Sequence, residues 1–183
     1  RLAGDLDGAE ALENKVIMND LKSEAEFMEA GGYNYKKGRQ GLALQTYLQA
    51  RKVLRDKYVF SSEVANLYGL AGDYTAATQE YLIMLEKKLE SADAIKLNVL
   101  NLVDEESKED IETTLLAEAQ RRSKDKALRN LIYEFYVLTE NFYEAFIQVK
   151  SIDRLSTTQG AQVFSFAMTM RNNKEYRLSN KAL

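Results

Sequence analysis

The sequence contains no cysteine, no histidine, no tryptophan and no proline. Without cysteine the chain can form no disulfide and offers no thiolate to a metal ion. Without histidine it lacks imidazole ligands for zinc, and it lacks the base that activates the nucleophile in Ser-His and Cys-His enzymes. Proline is the residue that most strongly interrupts helices, so its absence favours a helical chain. These absences exclude more functional classes than any single motif of the sequence supports.

The charge of the chain is modest and acidic. Its 183 residues carry a formal net charge of −3, and 45% of them are apolar and 29% charged. This composition suits a packed core with a solvated surface, whereas general binding to nucleic-acid phosphates requires a basic face. A membrane-spanning helix needs about 20 mostly apolar residues, and the sequence contains no such run. We therefore expect no nucleic-acid partner and no membrane span.

A period of 34 residues organises the sequence. The pattern A-x-Q-x-Y-L occurs at 43–48 (ALQTYL) and again 34 residues later at 77–82 (ATQEYL). Two series of positions continue this interval along the chain: Gly4, Gly38 and Gly72, and Ala9, Ala43, Ala77, Ile111 and Ala145. The next glycine positions hold Glu106 and Glu140, so the array is degenerate in its later repeats. A fixed period of this length is typical of stacked helical repeats.

Each period is predicted to contain two helices. Apolar residues recur at helical spacing on both sides of Gly72: Val64, Ala65 and Tyr68 before it, and Tyr74, Ala77, Tyr81 and Leu85 after it. Each set forms one face of a helix, and the glycine between them supplies the left-handed backbone that helix ends favour. We expect Ser61 or Ser62 to cap the first helix of this pair. Small residues such as Gly31 and Ala65 are expected to let paired helices approach closely.

With this period the sequence resembles the tetratricopeptide repeat (TPR) family, whose 34-residue unit has a small residue and a tyrosine late in the first helix and an Ala-x-x-x-aromatic pattern in the second. The best match carries Ala65, Tyr68, Ala77 and Tyr81. The resemblance implies an all-α fold, a right-handed α-α superhelix of antiparallel helix pairs. It divides residues 1–183, as one array, into a partial unit 1–23, the units 24–57, 58–91, 92–125 and 126–159, and a partial unit 160–183. The tryptophan and proline of the family are missing, and Tyr133 occupies a small-residue position, where packing must differ.

The resemblance also implies a binding face. In TPR proteins the concave face of the superhelix is lined mainly by first helices and binds a peptide or a partner surface. The positions that it selects here mix apolar, amide and charged side chains, which suits a partly apolar ligand: Tyr35, Lys36, Asn66, Lys96, Asn130, Glu134, Phe164, Met168 and Arg171. Leu70, Leu100 and Val137 occupy equivalent positions, but apolar residues at helical spacing are more often core. The polar members have an ordinary solvated surface as their alternative role.

The implied function is a non-catalytic protein-protein interaction scaffold or adaptor that binds a peptide or partner surface and needs no cofactor or metal. An alternative is a helical docking or oligomerisation segment of a larger enzyme or envelope assembly, and a homo-oligomer is compatible with both. A third interpretation is an all-α enzyme with paired carboxylates such as Glu134 and Asp153. Nothing in the spacing of these two residues requires them to meet.

Two details refine what the family resemblance implies. Some TPR domains hold a carboxylate with a lysine and an asparagine one turn apart, but Asn66 is preceded at that spacing by Ser62, and Lys96 is followed by Leu100. That clamp is therefore not expected here. The chain begins at Arg1 and, by this register, stops within a second helix, so we expect it to be part of a longer protein. Its likeness to bacterial envelope TPR proteins favours a periplasmic location.

Three local stretches offer other interpretations. The acidic run at 104–112 lacks the glycine of a calcium loop, so we expect a solvated turn followed by the start of a helix. The basic cluster at 121–126 would then lie at the C-terminal end of that helix, where cations are favoured. The stretch GGYNYKKG at 31–38 places Tyr33 and Tyr35 around the usual tyrosine position, so we expect at least one exposed ring that serves as a binding anchor.

Overall fold

The fold is all-α in the residues that the computed structural model describes, which are Lys15, Ile17 and 19–183. Ten helices, and no strand, occur between residues 24 and 182. In chain order they are α1 (Glu24–Lys36), α2 (Gln40–Leu54), α3 (Ser61–Leu70), α4 (Tyr74–Lys87), α5 (Ala92–Leu100), α6 (Lys108–Arg121), α7 (Lys126–Leu138), α8 (Phe142–Ser156), α9 (Ala161–Asn172) and α10 (Tyr176–Ala182). Odd-numbered helices are first helices and even-numbered ones are second helices, which gives five consecutive pairs. The predicted positions Gly4 and Ala9 lie outside the described residues.

The predicted 34-residue period is confirmed by the second helices. They begin at intervals of 34 residues: Gln40, Tyr74, Lys108, Phe142 and Tyr176. The fourth residue of each is fully or almost fully buried, with relative exposures of 0 to 2%: Ala43, Ala77, Ile111, Ala145 and Ser179. Because these positions carry small side chains in four of the five pairs, the second helix can lie close to its neighbours. The structure is thus a TPR-like arrangement of helix pairs.

The described residues up to Tyr81 form one compact unit, which we call the N-terminal unit, and Leu82–Leu183 form the C-terminal unit. The core of the N-terminal unit lies where α1, α2 and α3 pack, and it contains Phe27, Ala43, Tyr47, Ala50, Phe60, Val64 and Leu67. The rings of Tyr47 and Phe60 lie 4.8 Å apart. The apolar faces predicted from helical spacing are therefore the faces that pack.

The core of the C-terminal unit lies mainly between α7, α8 and α9. Each of these helices contributes fully buried side chains, among them Leu128, Phe135, Tyr136, Ala145, Phe166 and Met170. The rings of Phe146 and Phe166 stack at 5.6 Å. Tyr133, in the predicted small-residue position, packs edge-on against Phe166 at 6.3 Å. The larger side chain is therefore accommodated by ring packing between α7 and α9.

One glycine of α1 is required by the close approach of α2. A Cβ atom added to Gly31 would lie 2.4 Å from Cζ of Tyr47, which is far inside van der Waals contact. Tyr47 is 4% exposed and cannot move outward without leaving the core. The neighbouring Gly32 has nothing within 4 Å of the same virtual atom. The expected small-residue contact at Gly31 is thus confirmed.

The turns inside the helix pairs use a left-handed residue at most of the predicted glycine positions. Gly38 and Gly72 have φ angles of 74° and 77°. The same position holds Glu140 and Lys174 in later pairs, with φ angles of 57° and 65°. Glu106 is the exception, because its φ is not positive. Two non-glycine residues therefore carry a backbone conformation that costs an L-residue about 1–2 kcal/mol.

The predicted serine cap of α3 is wrong. The N-cap is Phe60, whose φ of 58° is left-handed, and Ser61 is already inside the helix. The Ser61 hydroxyl donates to the carbonyl of Tyr58 and accepts from Arg51. The helix start is instead secured by the buried Phe60 ring and by the arginine.

Arg51 joins three segments of the N-terminal unit. Its guanidinium donates to both carboxylate oxygens of Glu80 at 2.7 and 2.8 Å, to the carbonyl of Val59 at 3.1 Å and to the Ser61 hydroxyl. The two charged side chains are only 14% and 13% exposed. A bidentate pair with this little exposure is stronger than an ordinary surface ion pair. It ties α2 to the start of α3 and to α4.

Arg122 joins α4, α6 and α7 in the C-terminal unit. It donates to the carbonyl of Leu82 at 3.1 Å and to Glu118 at 3.0 Å, and it also binds Asp125, the N-cap of α7. Arg121 beside it bridges Glu118 and Glu86. The hydrogen bond from Arg121 holds the pKa of Glu118 below its usual value, and Arg122 acts in the same direction against the effect of burial. The basic cluster thus lies at the end of α6 as predicted.

The Gly31→Ala substitution is expected to destabilise the chain by about 1–3 kcal/mol, because the new methyl group overpacks the contact with Tyr47. Gly32→Ala is the matched control, since it lies in the same helix in open space and gains helix propensity worth about 0.5–1 kcal/mol. Urea unfolding followed by circular dichroism measures both. Equal effects of the two substitutions would contradict the close approach.

Glu140→Gly is expected to stabilise the chain by up to about 1 kcal/mol, because glycine removes the left-handed strain and adds only its own entropic cost. Glu106→Gly, in the equivalent position without a positive φ, is expected to destabilise it slightly. Thermal unfolding of the two variants beside wild type makes the comparison. The idea fails if Glu106→Gly is the more stable variant.

Acid is expected to weaken the ion pairs that Arg121 and Arg122 form with Glu118. Because the folded pKa of Glu118 lies below its usual value of 4.5, its stabilisation is complete above pH 4.5 and is lost as the pH falls through the folded pKa. The Glu118→Gln variant should therefore lose less stability than wild type between about pH 5 and pH 3. Urea midpoints at each pH measure the slope. An equal slope for the two proteins would contradict this role of Glu118.

Candidate functional site

The nine predicted binding residues all lie on first helices, and none of them is buried. We call this set the first-helix face and describe it separately in each compact unit. In the N-terminal unit it consists of Tyr35, Lys36 and Asn66, and in the C-terminal unit of Lys96, Asn130, Glu134, Phe164, Met168 and Arg171. Their role in binding stays a prediction.

Two exposed tyrosines mark the N-terminal unit. Tyr33 and Tyr35 are 52% and 51% exposed, so the expected exposed ring is present twice. Tyr33 is approached by Lys37 at 5.6 Å and by Arg39 at 5.4 Å from its ring centre. Tyr35 has no such cation over its ring within the described residues. Of the two, Tyr35 therefore has the ring face more open to a ligand.

A surface hollow of 580 Å³ lies beside these tyrosines on α1. Its lining combines aliphatic, aromatic and charged side chains: Leu21, Glu26, Met28, Glu29, Ala30, Gly32, Tyr33 and Lys36. Met28 is 51% exposed. The hollow contains the predicted Lys36 and also Tyr33, one of the two tyrosines considered as a binding anchor, whereas Met28 was not predicted.

Asn66 takes part in the helix packing as well as in the face. Its side-chain oxygen accepts a hydrogen bond of 2.7 Å from the hydroxyl of Tyr81 on α4. The bond fixes the orientation of the amide, so a ligand would meet the amide NH₂ group. Asn66 is therefore a directed hydrogen-bond donor on α3.

The largest apolar part of the first-helix face in the C-terminal unit is on α9. Phe164 and Met168 are 58% and 39% exposed, and they lie one turn apart with Arg171 following on the next turn. A hollow of 430 Å³ borders Phe164 at the start of α9, and its lining includes Val163 and Leu183. Since Phe166, Ala167 and Met170 of the same helix are buried, α9 presents one apolar face to the core and a second one to solvent.

The polar part of the same unit lies on α7 and α5. Asn130 is exposed, and Glu134 follows it one turn later and is partly buried. Burial raises the pKa of the adjacent Tyr133, and the Glu134 carboxylate raises it further. Lys96 forms an ion pair with Asp93 at 3.1 Å within α5. Amide, acid and base are thus presented on successive first helices of one unit.

Leu70, Leu100 and Val137, which the sequence assigns either to the binding face or to the core, differ in exposure. Leu70 is 53% exposed, whereas Leu100 and Val137 are partly buried. Leu97 and Leu138, which were not predicted to be exposed, are 59% and 52% exposed. They lie next to selected positions, so the repeat register alone could not separate them from core residues.

The structure commits Asp153 of the proposed carboxylate pair to a structural task. Its carboxylate accepts from the Thr158 hydroxyl at 2.6 Å and from the backbone N–H groups of Gly160 at 2.9 Å and Gln162 at 3.1 Å. These hydrogen bonds, with that of Thr158 the largest, hold its pKa below the usual value. Asp153 therefore secures the start of α9, and a carboxylate so occupied is poorly suited to proton transfer.

The acidic run forms the expected turn and helix start. Asp104 accepts from the N–H groups of Glu106 at 2.9 Å and Ser107 at 2.8 Å, and α6 begins at Lys108. The bonds from Ser107 lower the pKa of Asp104. No cluster of three or more acidic residues in the described part of the chain is arranged to hold a metal ion.

No protein-family model and no curated protein matches the chain. Among solved structures it is similar to YrrB, described as a TPR protein with an unusual peptide-binding site. That match has 13% identity, covers 93% of this chain and 88% of the other, and has a TM-score of 0.45. It is also similar to MamA (41-end) from Desulfovibrio magneticus RS-1, with 11% identity over 90% of this chain and 92% of the other and a TM-score of 0.44. Both scores lie below 0.5, so the fold assignment rests on the helix pairs and their period.

None of the helices in the described ranges is both long enough and apolar enough to cross a membrane. The longest contain 15 residues, which is short of the roughly 20 that a span requires.

Proposed function

We propose that the chain is a non-catalytic interaction scaffold that binds a peptide or an extended partner segment on its first-helix face. The observation that carries this proposal is the exposure of Phe164 and Met168 on α9, whose core positions are already filled by other side chains. A ligand that covers such an apolar pair is stabilised on the protein by about 1.5–3 kcal/mol for each side chain that becomes fully buried.

The polar neighbours suit a peptide rather than a purely apolar ligand. Asn130 is exposed on α7, and an amide offers both a donor and an acceptor to a peptide backbone. Glu134 is partly exposed, Arg171 is exposed, and the two carry opposite charges. They therefore favour a ligand with a positive charge near Glu134 and a negative charge near Arg171. The combination of apolar anchors with directed polar groups is the usual anatomy of an interface.

The alternative function is a docking or oligomerisation segment of a larger enzyme or assembly. Exposed apolar residues on second helices favour it, namely Leu116, Tyr143 and Tyr176 with exposures of 36 to 58%. These residues lie on different helices from the first-helix face, so the two functions predict different sensitive residues.

The binding test uses peptides that are selected from a random library for binding to the whole chain. Their affinity is then measured by fluorescence anisotropy. The Asn130→Ala/Phe164→Ala variant is expected to weaken binding by at least about tenfold, since a central anchor is worth more than 1 kcal/mol. Tyr35→Ala, measured separately, reports whether the N-terminal unit contributes.

The matched control is Leu116→Ala/Tyr176→Ala, which removes exposed apolar side chains from second helices. It should change the affinity by less than about twofold. If the control variant loses binding and the Asn130→Ala/Phe164→Ala variant keeps it, the ligand uses second helices and the docking alternative is favoured.

A further inference from the structure

One edge of the C-terminal unit carries negative charge at one end and positive charge at the other. We call it the turn edge, formed by the turns inside pairs three, four and five, by the first turns of α6 and α8, and by the short helix α10. The starts of α8 and α10 lie side by side, because Tyr143 and Arg177 line the same surface hollow of 490 Å³. The end of α7 meets the start of α6, where the Tyr136 hydroxyl donates to Glu112 at 2.9 Å. The three turns therefore lie along one continuous edge.

The third pair makes its end of the turn edge acidic. Its exposed carboxylates are Asp104, Glu105, Glu106, Glu109 and Asp110. Lys108 pairs with Glu105 at 2.9 Å, so one acid is compensated locally. Within the described residues no ion pair involves the other four.

The fifth pair makes its end of the turn edge basic. Lys174, Arg177 and Lys181 are exposed, with Glu175 as the one opposing charge among them. At the 34-residue interval, Lys174 stands where the third pair has Glu106, and Arg177 stands where it has Glu109. Equivalent positions thus carry opposite charges two repeats apart.

The fourth pair separates the two ends with an aromatic residue. Tyr143 occupies the position between Glu109 and Arg177 in the repeat series and is 54% exposed. Lys181 lies 4.7 Å from the centre of its ring. Tyrosine is a favoured anchor of protein interfaces. Glu140 adds a negative charge here, in the same hollow as Arg177 and Lys181.

We propose that the turn edge binds a second copy of this chain in antiparallel orientation, with the acidic end of each copy on the basic end of the other. A two-fold contact requires a surface that is complementary to itself, and a charge reversal about Tyr143 has that property. A partner with charge of one sign would be attracted at one end of the edge and repelled at the other, so the pattern favours a second copy. The two Tyr143 rings would meet near the two-fold axis.

The experiment is sedimentation velocity of the whole chain over a range of concentrations, in about 50 mM and about 500 mM salt. Wild type is expected to form a dimer whose dissociation constant rises at least about tenfold at high salt, because exposed charge pairs are screened. Arg177→Glu/Lys181→Glu makes both ends acidic, and Glu106→Lys/Glu109→Lys makes both ends basic. Each variant alone should dissociate at least about tenfold more readily than wild type.

The decisive step is to mix the two variants. In the mixed dimer every acidic end again faces a basic end, so association should return to the level of wild type. Lys124→Glu/Lys126→Glu is the matched control, because it reverses two exposed lysines outside the turn edge and should leave the dimer unchanged. Circular dichroism confirms that each variant is folded.

Three results would overturn the proposal: a wild type that is monomeric at low salt throughout the concentration range, a dimer that is indifferent to salt, or reversed variants that remain apart when mixed. The salt series needs no variant, so it decides the matter even where a reversed variant fails to fold. Peptide binding to the first-helix face is measured separately and does not depend on this outcome.

Discussion

The structure depends on one steric constraint, the buried fourth residue of every second helix. Ala43, Ala77, Ile111 and Ala145 are all 0% exposed, so the second helix sits against its neighbours without room to rotate. Insertion of one residue would turn this position by about 100° and take it out of the packed face. The second helices accordingly begin at strict 34-residue intervals, whereas the first helices begin at Glu24, Ser61, Ala92, Lys126 and Ala161 and vary by several residues. The loops between pairs absorb the variation.

The same constraint decides which positions are available for function. The buried sides of second helices and the inner sides of first helices are occupied by packing, so a ligand could reach the outward residues of first helices, or the turns with the first residues of the second helices. Phe164 and Asn130 belong to the first group and Tyr143 to the second group. The two groups differ in chemistry, since the first-helix face mixes anchors with amides and the turn edge is ordered by charge. Separate surfaces of this kind would let one scaffold hold a ligand and a second copy together.

The sequence predicted those features that recur with the period. The helix pairs, the buried alanines, the Gly31 contact and the left-handed Gly38 and Gly72 all follow from local backbone and spacing, and the structure confirms them. The Ser61 cap was wrong because Arg51, ten residues earlier, competes for that hydroxyl. The period also could not locate Leu97 or Met28 at the surface, because an exposed apolar residue has the same spacing as a buried one. Which residues of the candidate site bind a ligand stays a prediction.

The 34-residue period could not predict contacts made by side chains that occur in only one repeat, and one position shows why. Arg51 and Asp153 occupy the same position of their repeats, three intervals apart, and Leu85 and Ala119 stand between them. Each polar residue reaches forward to the next first helix, Arg51 to Val59 and Ser61 and Asp153 to Gly160 and Gln162. Opposite charges thus perform the same task with opposite partners, since the arginine donates to oxygen and the aspartate accepts from backbone N–H groups. A repeat fixes where a link between pairs is needed, whereas the local backbone decides which charge can make it.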